Sequence, residues 1–160
     1  MTAPQSILIA GIGNIFLGDD AFGVEVAQKL ARRAWPPNVR AVDYGIRGFD
    51  LAFALLDGVD LTVFVDATPR GETPGTLYLI EPDTRNINAD MDAHSMNPMA
   101  VLQLVKTMGG DFRRILVLGC EPFDCTERMG LSDPVRAAID QAVAMVEELV
   151  SNELNLETTQ

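Results

Sequence analysis

Three side chains stand where an α/β chain places its chemistry. Asp20 closes the stretch "ILIAGIGNIFLGDD", Asp66 ends the apolar run "LTVFVD", and His94 lies in the polar stretch "DAHSMNP". In open α/β sheets functional groups collect in the crevice beyond the carboxyl ends of the parallel strands, and all three positions fall there. Two carboxylates and an imidazole suit a divalent transition metal such as zinc or nickel. Each residue also has a plainer reading: Asp20 as the cap of the following helix, Asp66 as the cap of a turn, His94 as a solvated loop residue. The plainer reading is weakest for Asp66, because a wholly apolar strand has few local reasons to end in a carboxylate. His94 is the only histidine in the chain. Sites with two or three histidines, including H-E-x-x-H, are therefore excluded, and any metal must rely on carboxylates.

The elements that must position these residues follow from periodicity. Residues 6–11 read as a strand and 21–34 as an amphipathic helix, stopped by Pro36 and Pro37. A second strand spans 39–44, a short helix 49–56, and the unbroken apolar run 61–66 suits a central parallel strand. That alternation predicts a parallel α/β sheet. The connection "ATPRGETPG" is too short and too rich in Pro and Gly for a crossover helix, so the fourth strand, 76–80, is expected to run antiparallel. Asn97 and Pro98 supply an N-cap and a first-turn proline for a helix to Met108. A fifth strand follows at 115–118, and a last helix runs from the Ser132–Pro134 start to about Val150. One domain over 1–153 is expected, with a disordered tail at 154–160.

Several other chemistries are excluded or disfavoured. Gly11 and Gly13 lack the third small residue of a G-x-G-x-x-G fingerprint, and the loop ends in Asp19 and Asp20, which repel phosphate, where a Walker loop needs G-K-[ST]. There is no G-x-S-x-G elbow. Cys120 is better read as a packing residue than as a nucleophile beside His94, and "CEPFDC" lacks the second pair of a zinc knuckle. Met91, Met96, Met99, Met108 and Met129 are read as core filling before an adaptable partner surface.

With 160 residues and 48% hydrophobic content the chain supports one substantial core. Its formal charge of −11 and scattered basic residues argue against a nucleic-acid or anionic-membrane partner. The uncharged N-terminus, broken early by Gly11, Gly13 and Asn14, predicts a cytoplasmic protein, in which the two cysteines, Cys120 and Cys125, are free, partly buried thiols.

The stretches "GIGNIFLGDDAFGVEVAQKL", "VDYGIRGFDL", "VFVDATPRGETPG", "DAHSMNP" and "LGCEP…GLSDPV" together resemble the hydrogenase maturation proteases, in the same order and over nearly the whole chain. The resemblance implies a three-layer α/β/α, phosphorylase/hydrolase-like fold with a five-stranded mixed sheet in the order 2-1-3-5-4, strand four antiparallel. It implies an aspartyl-type endopeptidase that trims the C-terminal extension of a nickel-iron hydrogenase large-subunit precursor, after a basic residue and after nickel insertion. Asp20, Asp66 and His94 match the family's three metal-binding positions and would dock onto nickel held by the substrate; the isolated protein's own site would then be empty or hold a surrogate metal. Asp43, in the family-like "DYGIRG", is a further catalytic candidate that orients a water or a substrate amide, or else a strand-end turn former; Gly45 and Gly48 let that loop approach a substrate backbone. No nucleophile stands out. The expected protein is a monomer. A nickel escort without proteolytic activity shares the same ligands, and a flavodoxin-like nucleotide module is disfavoured by the acidic loop.

Overall fold

A computed structural model describes residues 5–87 and 97–158. Strand β1 (Ile7–Ile12) is buried along its whole length. A 3-10 turn (Gly18–Ala21) and helix α1 (Phe22–Ala31) follow, then β2 (Val39–Gly45), α2 (Gly48–Leu56), β3 (Leu61–Ala67), β4 (Leu77–Ile80), α3 (Pro98–Thr107), β5 (Arg114–Cys120) and α4 (Asp133–Thr158). The sheet order is β2-β1-β3-β5-β4. β1 pairs in parallel with β2 and β3, β3 pairs in parallel with β5, and β4 runs antiparallel to β5 with Leu77 opposite Cys120. Both the order and the reversed fourth strand agree with the sequence expectation.

Strand alternation divides the core into two layers. Ile7, Ile9, Val63, Val65, Leu116 and Leu118 point to one face, where Phe22, Val26 and Leu30 of α1 and Val135, Ile139, Val143 and Val146 of α4 cover them. Leu8, Ala10, Ile12, Phe64, Ile115 and Val117 point to the other face, under Leu51 and Leu55 of α2 and Val101, Leu102 and Val105 of α3. Helices on both faces explain why the central strands read as unbroken apolar runs.

Two helix ends differ from expectation. α1 stops at Ala31 and not at Ala34: its end tightens into i→i+3 bonds, with the Arg32 and Arg33 N–H groups donating to the Lys29 and Leu30 carbonyls at 3.3 and 3.0 Å, and the Trp35 indole N–H folds back to the same Leu30 carbonyl at 2.7 Å. α4 continues to Thr158, so residues 154–158 are helical where a disordered tail is expected. Tertiary partners hold this extension: Glu153 is buried and accepts from Arg114 Nη1 at 2.5 Å, while Leu154 packs on the core. The N-cap at Asn97 is as expected, its side chain accepting from the Ala100 N–H at 2.9 Å.

Glu121, just after β5, secures the connection between β3 and β4. Its Oε1 accepts the Arg70 and Glu72 N–H groups at 2.9 and 3.1 Å and the Tyr78 hydroxyl at 2.6 Å. The Tyr78 hydrogen bond, helped by the backbone N–H groups and opposed by burial, holds the Glu121 carboxyl below the ordinary glutamate range. A carboxyl lowered in the native state stabilises above its unfolded value and loses that contribution as pH falls. The wild-type unfolding midpoint should therefore drop as pH falls below the ordinary value of 4.5. Glu121→Gln protein should begin lower at neutral pH and fall less on acidification; parallel curves for the two proteins would refute this role.

Candidate active site

The carboxyl edge of the sheet is built by close approach of α1. At Gly23 a Cβ would overlap the Val65 carbonyl oxygen and press on that of Ile12, so only glycine lets the start of α1 rest on the backbones of β1 and β3. The preceding 3-10 turn, which carries Asp19 and Asp20, is thereby set against the end of β3, where Asp66 lies. Gly13 serves the same end: its φ is +144°, and a Cβ there would overlap the Asp20 carbonyl oxygen. These contacts explain the glycines around the first loop. They bring backbone close to backbone so that Asp20 meets Asp66.

Asp20 is half-buried and is not a helix cap. Its Oδ2 accepts the Asn14 N–H at 2.8 Å, across the loop, and no side chain caps α1. Burial raises its carboxyl above the ordinary range, opposed by the Asn14 hydrogen bond. Asp66 is only 5% exposed, and its Oδ1 has no hydrogen-bond partner among the described residues. Burial pushes this carboxyl well above the ordinary range, the Asp20 charge pushes it further, and only the Ala67 N–H opposes. Two neighbouring carboxylates, one of them desolvated and incompletely hydrogen-bonded, make a site that favours a cation or a proton. The donor chemistry fits a hard or borderline divalent ion. Among the described residues no third histidine, cysteine or acid completes a metal cluster. His94, the third residue expected from the sequence, lies outside the described residues, as do Met91 and Met96.

Asp19 is a residue whose role sequence reasoning missed. It is fully buried, and its carboxylate gathers the segment after β5: Oδ2 accepts the Phe123 and Asp124 N–H groups at 2.8 and 2.9 Å and the Ser132 hydroxyl at 2.8 Å, while Oδ1 accepts the Ser132 N–H at 2.7 Å. Burial raises its carboxyl, but the Ser132, Asp124 and Phe123 hydrogen bonds outweigh burial and leave it below the ordinary range. The Asp19 N–H returns a bond to the Asp124 carbonyl at 2.8 Å. Adjacent acids thus have opposite tasks: Asp19 is fully hydrogen-bonded and structural, Asp20 faces the site.

The cysteines differ from the expectation that both are partly buried. Cys120 lies in the core with no exposed surface, and burial pushes its thiol up to about 12, which suits packing and not attack. Cys125 is exposed, and desolvation together with the charges of Asp20, Asp19, Asp124 and Asp66 pushes its thiol up to about 11. Both thiols are free and are held protonated at neutral pH. Met99 and Met108 pack on the core, whereas Met129 is exposed.

Asp43 lies near the end of β2, level with Gly11 of β1. It forms no strand-end turn with its carboxyl: Oδ2 accepts from Gln28 Nε2 at 3.1 Å, and Oδ1 is buried without a partner among the described residues. It stands across Gly13 from Asp20, because the Gly13 N–H donates to the Gly45 carbonyl while the next residue, Asn14, donates to Asp20.

The family model for hydrogenase maturation proteases matches residues 24–149. The hydrogenase expression/formation protein HoxM of Azotobacter vinelandii is 35% identical over 156 residues, which are 94% of this chain and 74% of that protein. Among solved structures, the [NiFe] hydrogenase maturation protease HycI of Thermococcus kodakarensis superimposes with a TM-score of 0.65 at 28% identity, over 96% of this chain and 95% of that one. The Escherichia coli hydrogenase maturating endopeptidase HybD shares the fold with a TM-score of 0.75 at 24% identity, covering 92% and 93% of the two chains. Fold and likeness together define the class, an α/β peptidase. The chain belongs to the hydrogenase maturation protease family, endopeptidases that process hydrogenase during its maturation.

Proposed function

We propose that this endopeptidase removes the C-terminal extension from the large-subunit precursor of a nickel-iron hydrogenase once nickel has been inserted, and that Asp20, Asp66 and His94 engage the nickel held by that precursor. The observation that carries this reading is the buried oxygen of Asp66, without a hydrogen-bond partner among the described residues, beside the half-buried Asp20. Such an oxygen costs stability in the free protein and gains its partner only when a cation is presented to it. A site with two carboxylates and one imidazole leaves coordination positions open, which suits docking onto a metal that another protein holds. The metal is then part of the substrate and positions the peptide bond near it, so that cleavage reports completed metal insertion. Dependence on carboxylates makes the activity aspartyl in type. On this reading the protein acts as a monomer in the cytoplasm; among the described residues no helix is long and apolar enough to cross a membrane.

The test uses purified precursor prepared with and without nickel. The nickel-loaded form should be shortened and the nickel-free form left intact, and His94→Ala protein should cleave neither while keeping its unfolding midpoint. Equal cleavage of both precursor forms would overturn nickel recognition. Nickel binding without cleavage of either form would instead favour the escort reading.

A further inference from the structure

The loop after β1 and the segment after β5 are joined into one surface. Leu17 and Arg128 pair as an isolated parallel bridge. Around it the Arg128 N–H donates to the Phe16 carbonyl at 3.0 Å, the Gly18 N–H to the Arg128 carbonyl at 2.9 Å, and the Asp19 N–H to the Asp124 carbonyl at 2.8 Å. Gly18 permits this approach: its φ is +55°, and a Cβ there would overlap the Asp124 carbonyl oxygen. Together with the Asp19 carboxylate, which gathers Phe123, Asp124 and Ser132, these bonds fix the segment against the turn that carries Asp20. The charges of Asp20 and Asp66 both act on the thiol of Cys125, so the segment stands beside the site itself.

Three large apolar side chains project from this braced surface. Phe16, Phe123 and Met129 are 63%, 68% and 63% exposed. Each stands at or next to a residue that joins the two segments, since Phe16 bonds to Arg128, Met129 follows Arg128, and Phe123 bonds to Asp19. None of them belongs to either layer of the core, and Met129, expected from the sequence to fill it, stands outside. Large apolar groups exposed on a rigid frame mark an interaction surface, and Phe and Met are enriched where proteins meet. The net charge of −11 disfavours a second copy of this chain as the partner. A single extended tail has no hollows to receive such projections, whereas a folded surface does. The surface borders the edge at which substrate is cut, so it is continuous with the ground that the substrate must cover.

Resting on the endopeptidase reading above, we infer that Phe16, Phe123 and Met129 form a docking surface for the folded body of the hydrogenase large-subunit precursor, apart from its C-terminal extension and independent of its nickel. The contact is apolar and takes no part in holding a metal. Affinity then comes from this surface and the nickel check from the carboxylates, so nickel-free precursor binds without being cut. Because the contact is the same before and during cleavage, it acts through KM and not through kcat.

The test uses Cys125 as its reporter, since Cys125 is exposed in the middle of the segment while Cys120 has no exposed surface. Wild-type protein is mixed with saturating nickel-free precursor and excess N-ethylmaleimide, and labelling of Cys125 is followed by mass spectrometry. The precursor should slow labelling by about fivefold or more, and by less than about twofold in Phe123→Ser/Met129→Ser protein, which has lost two anchors. On nickel-loaded precursor the same double variant should keep its kcat and its unfolding midpoint but show a KM raised by about tenfold or more, and Phe16→Ser should raise KM likewise. Labelling at one rate with and without precursor, or an unchanged KM in the double variant, would overturn the docking surface. Labelling that slows with the concentration of this protein alone would show self-association through the same face and overturn it too. Wild-type protein that cuts neither precursor form would refute the endopeptidase reading, whereas the labelling result judges the docking surface by itself.

Discussion

Asp66→Asn protein should fail to shorten nickel-loaded precursor while resisting urea better than the wild type. The two effects share one cause. In the wild type a carboxylate is held almost entirely out of water with one oxygen unpartnered among the described residues, and the Asp20 charge stands near it. An unpaired buried charge is a cost to the folded state, so the nearly isosteric neutral amide should raise stability by on the order of 1 kcal/mol. The same charge is what a substrate-borne cation would meet. Removing a preorganised group aimed at the reacting centre typically lowers turnover by about a hundredfold to a thousandfold, and loss on that scale is expected here. Single-turnover processing assays and urea unfolding of the same preparation would measure both. Wild-type processing by Asp66→Asn protein would sink the metal-engaging role, and a clear drop in stability would show that Asp66 has a structural partner.

Asp19→Ala should have the opposite profile, with stability lost first and activity lost as a consequence. The Asp19 carboxylate satisfies three backbone N–H groups and one hydroxyl from residues 104 to 113 positions further along the chain. Truncation leaves those donors without their acceptor, the two Ser132 groups buried and the Phe123 and Asp124 N–H groups part-buried. Each unsatisfied buried group costs about 1–3 kcal/mol, so a total of about 3 kcal/mol or more is expected even after partial relaxation. Urea titration should show a lower midpoint with little change in slope, and limited proteolysis should begin within residues 121–131 before the core strands. A loss below about 1 kcal/mol would mean that the segment after β5 is held by something other than this carboxylate.

Much of the fold is legible in the sequence because it rests on local rules. Unbroken apolar runs with helical stretches between them dictate a parallel sheet covered on both faces, and the short Pro- and Gly-rich connection at residues 68–76 forces β4 to reverse. The same rules place Asp20 in the loop after the first strand and Asp66 at the end of the third, on the edge where ligands bind. Local rules fail where distant partners decide. Nothing within "NELNLET" reveals that Glu153 meets Arg114 and that Leu154 joins the core, so the end of α4 is visible only in the assembled molecule.

The adjacent acids show the same division. Asp19 and Asp20 have one chemistry and neighbouring positions, yet one is enclosed by donors from the segment after β5 and the other turns toward Asp66. Sequence alone determined that carboxylates would stand at this edge, since the strand pattern rests on local periodicity. Tertiary structure alone decided which carboxylate is satisfied and which is left short of partners, because desolvation and hydrogen bonding depend on residues brought in from more than a hundred positions away. It likewise decided the Tyr44 bulge, through the pairing of β2 with β1, and left Asp43 Oδ1 without a hydrogen-bond partner among the described residues.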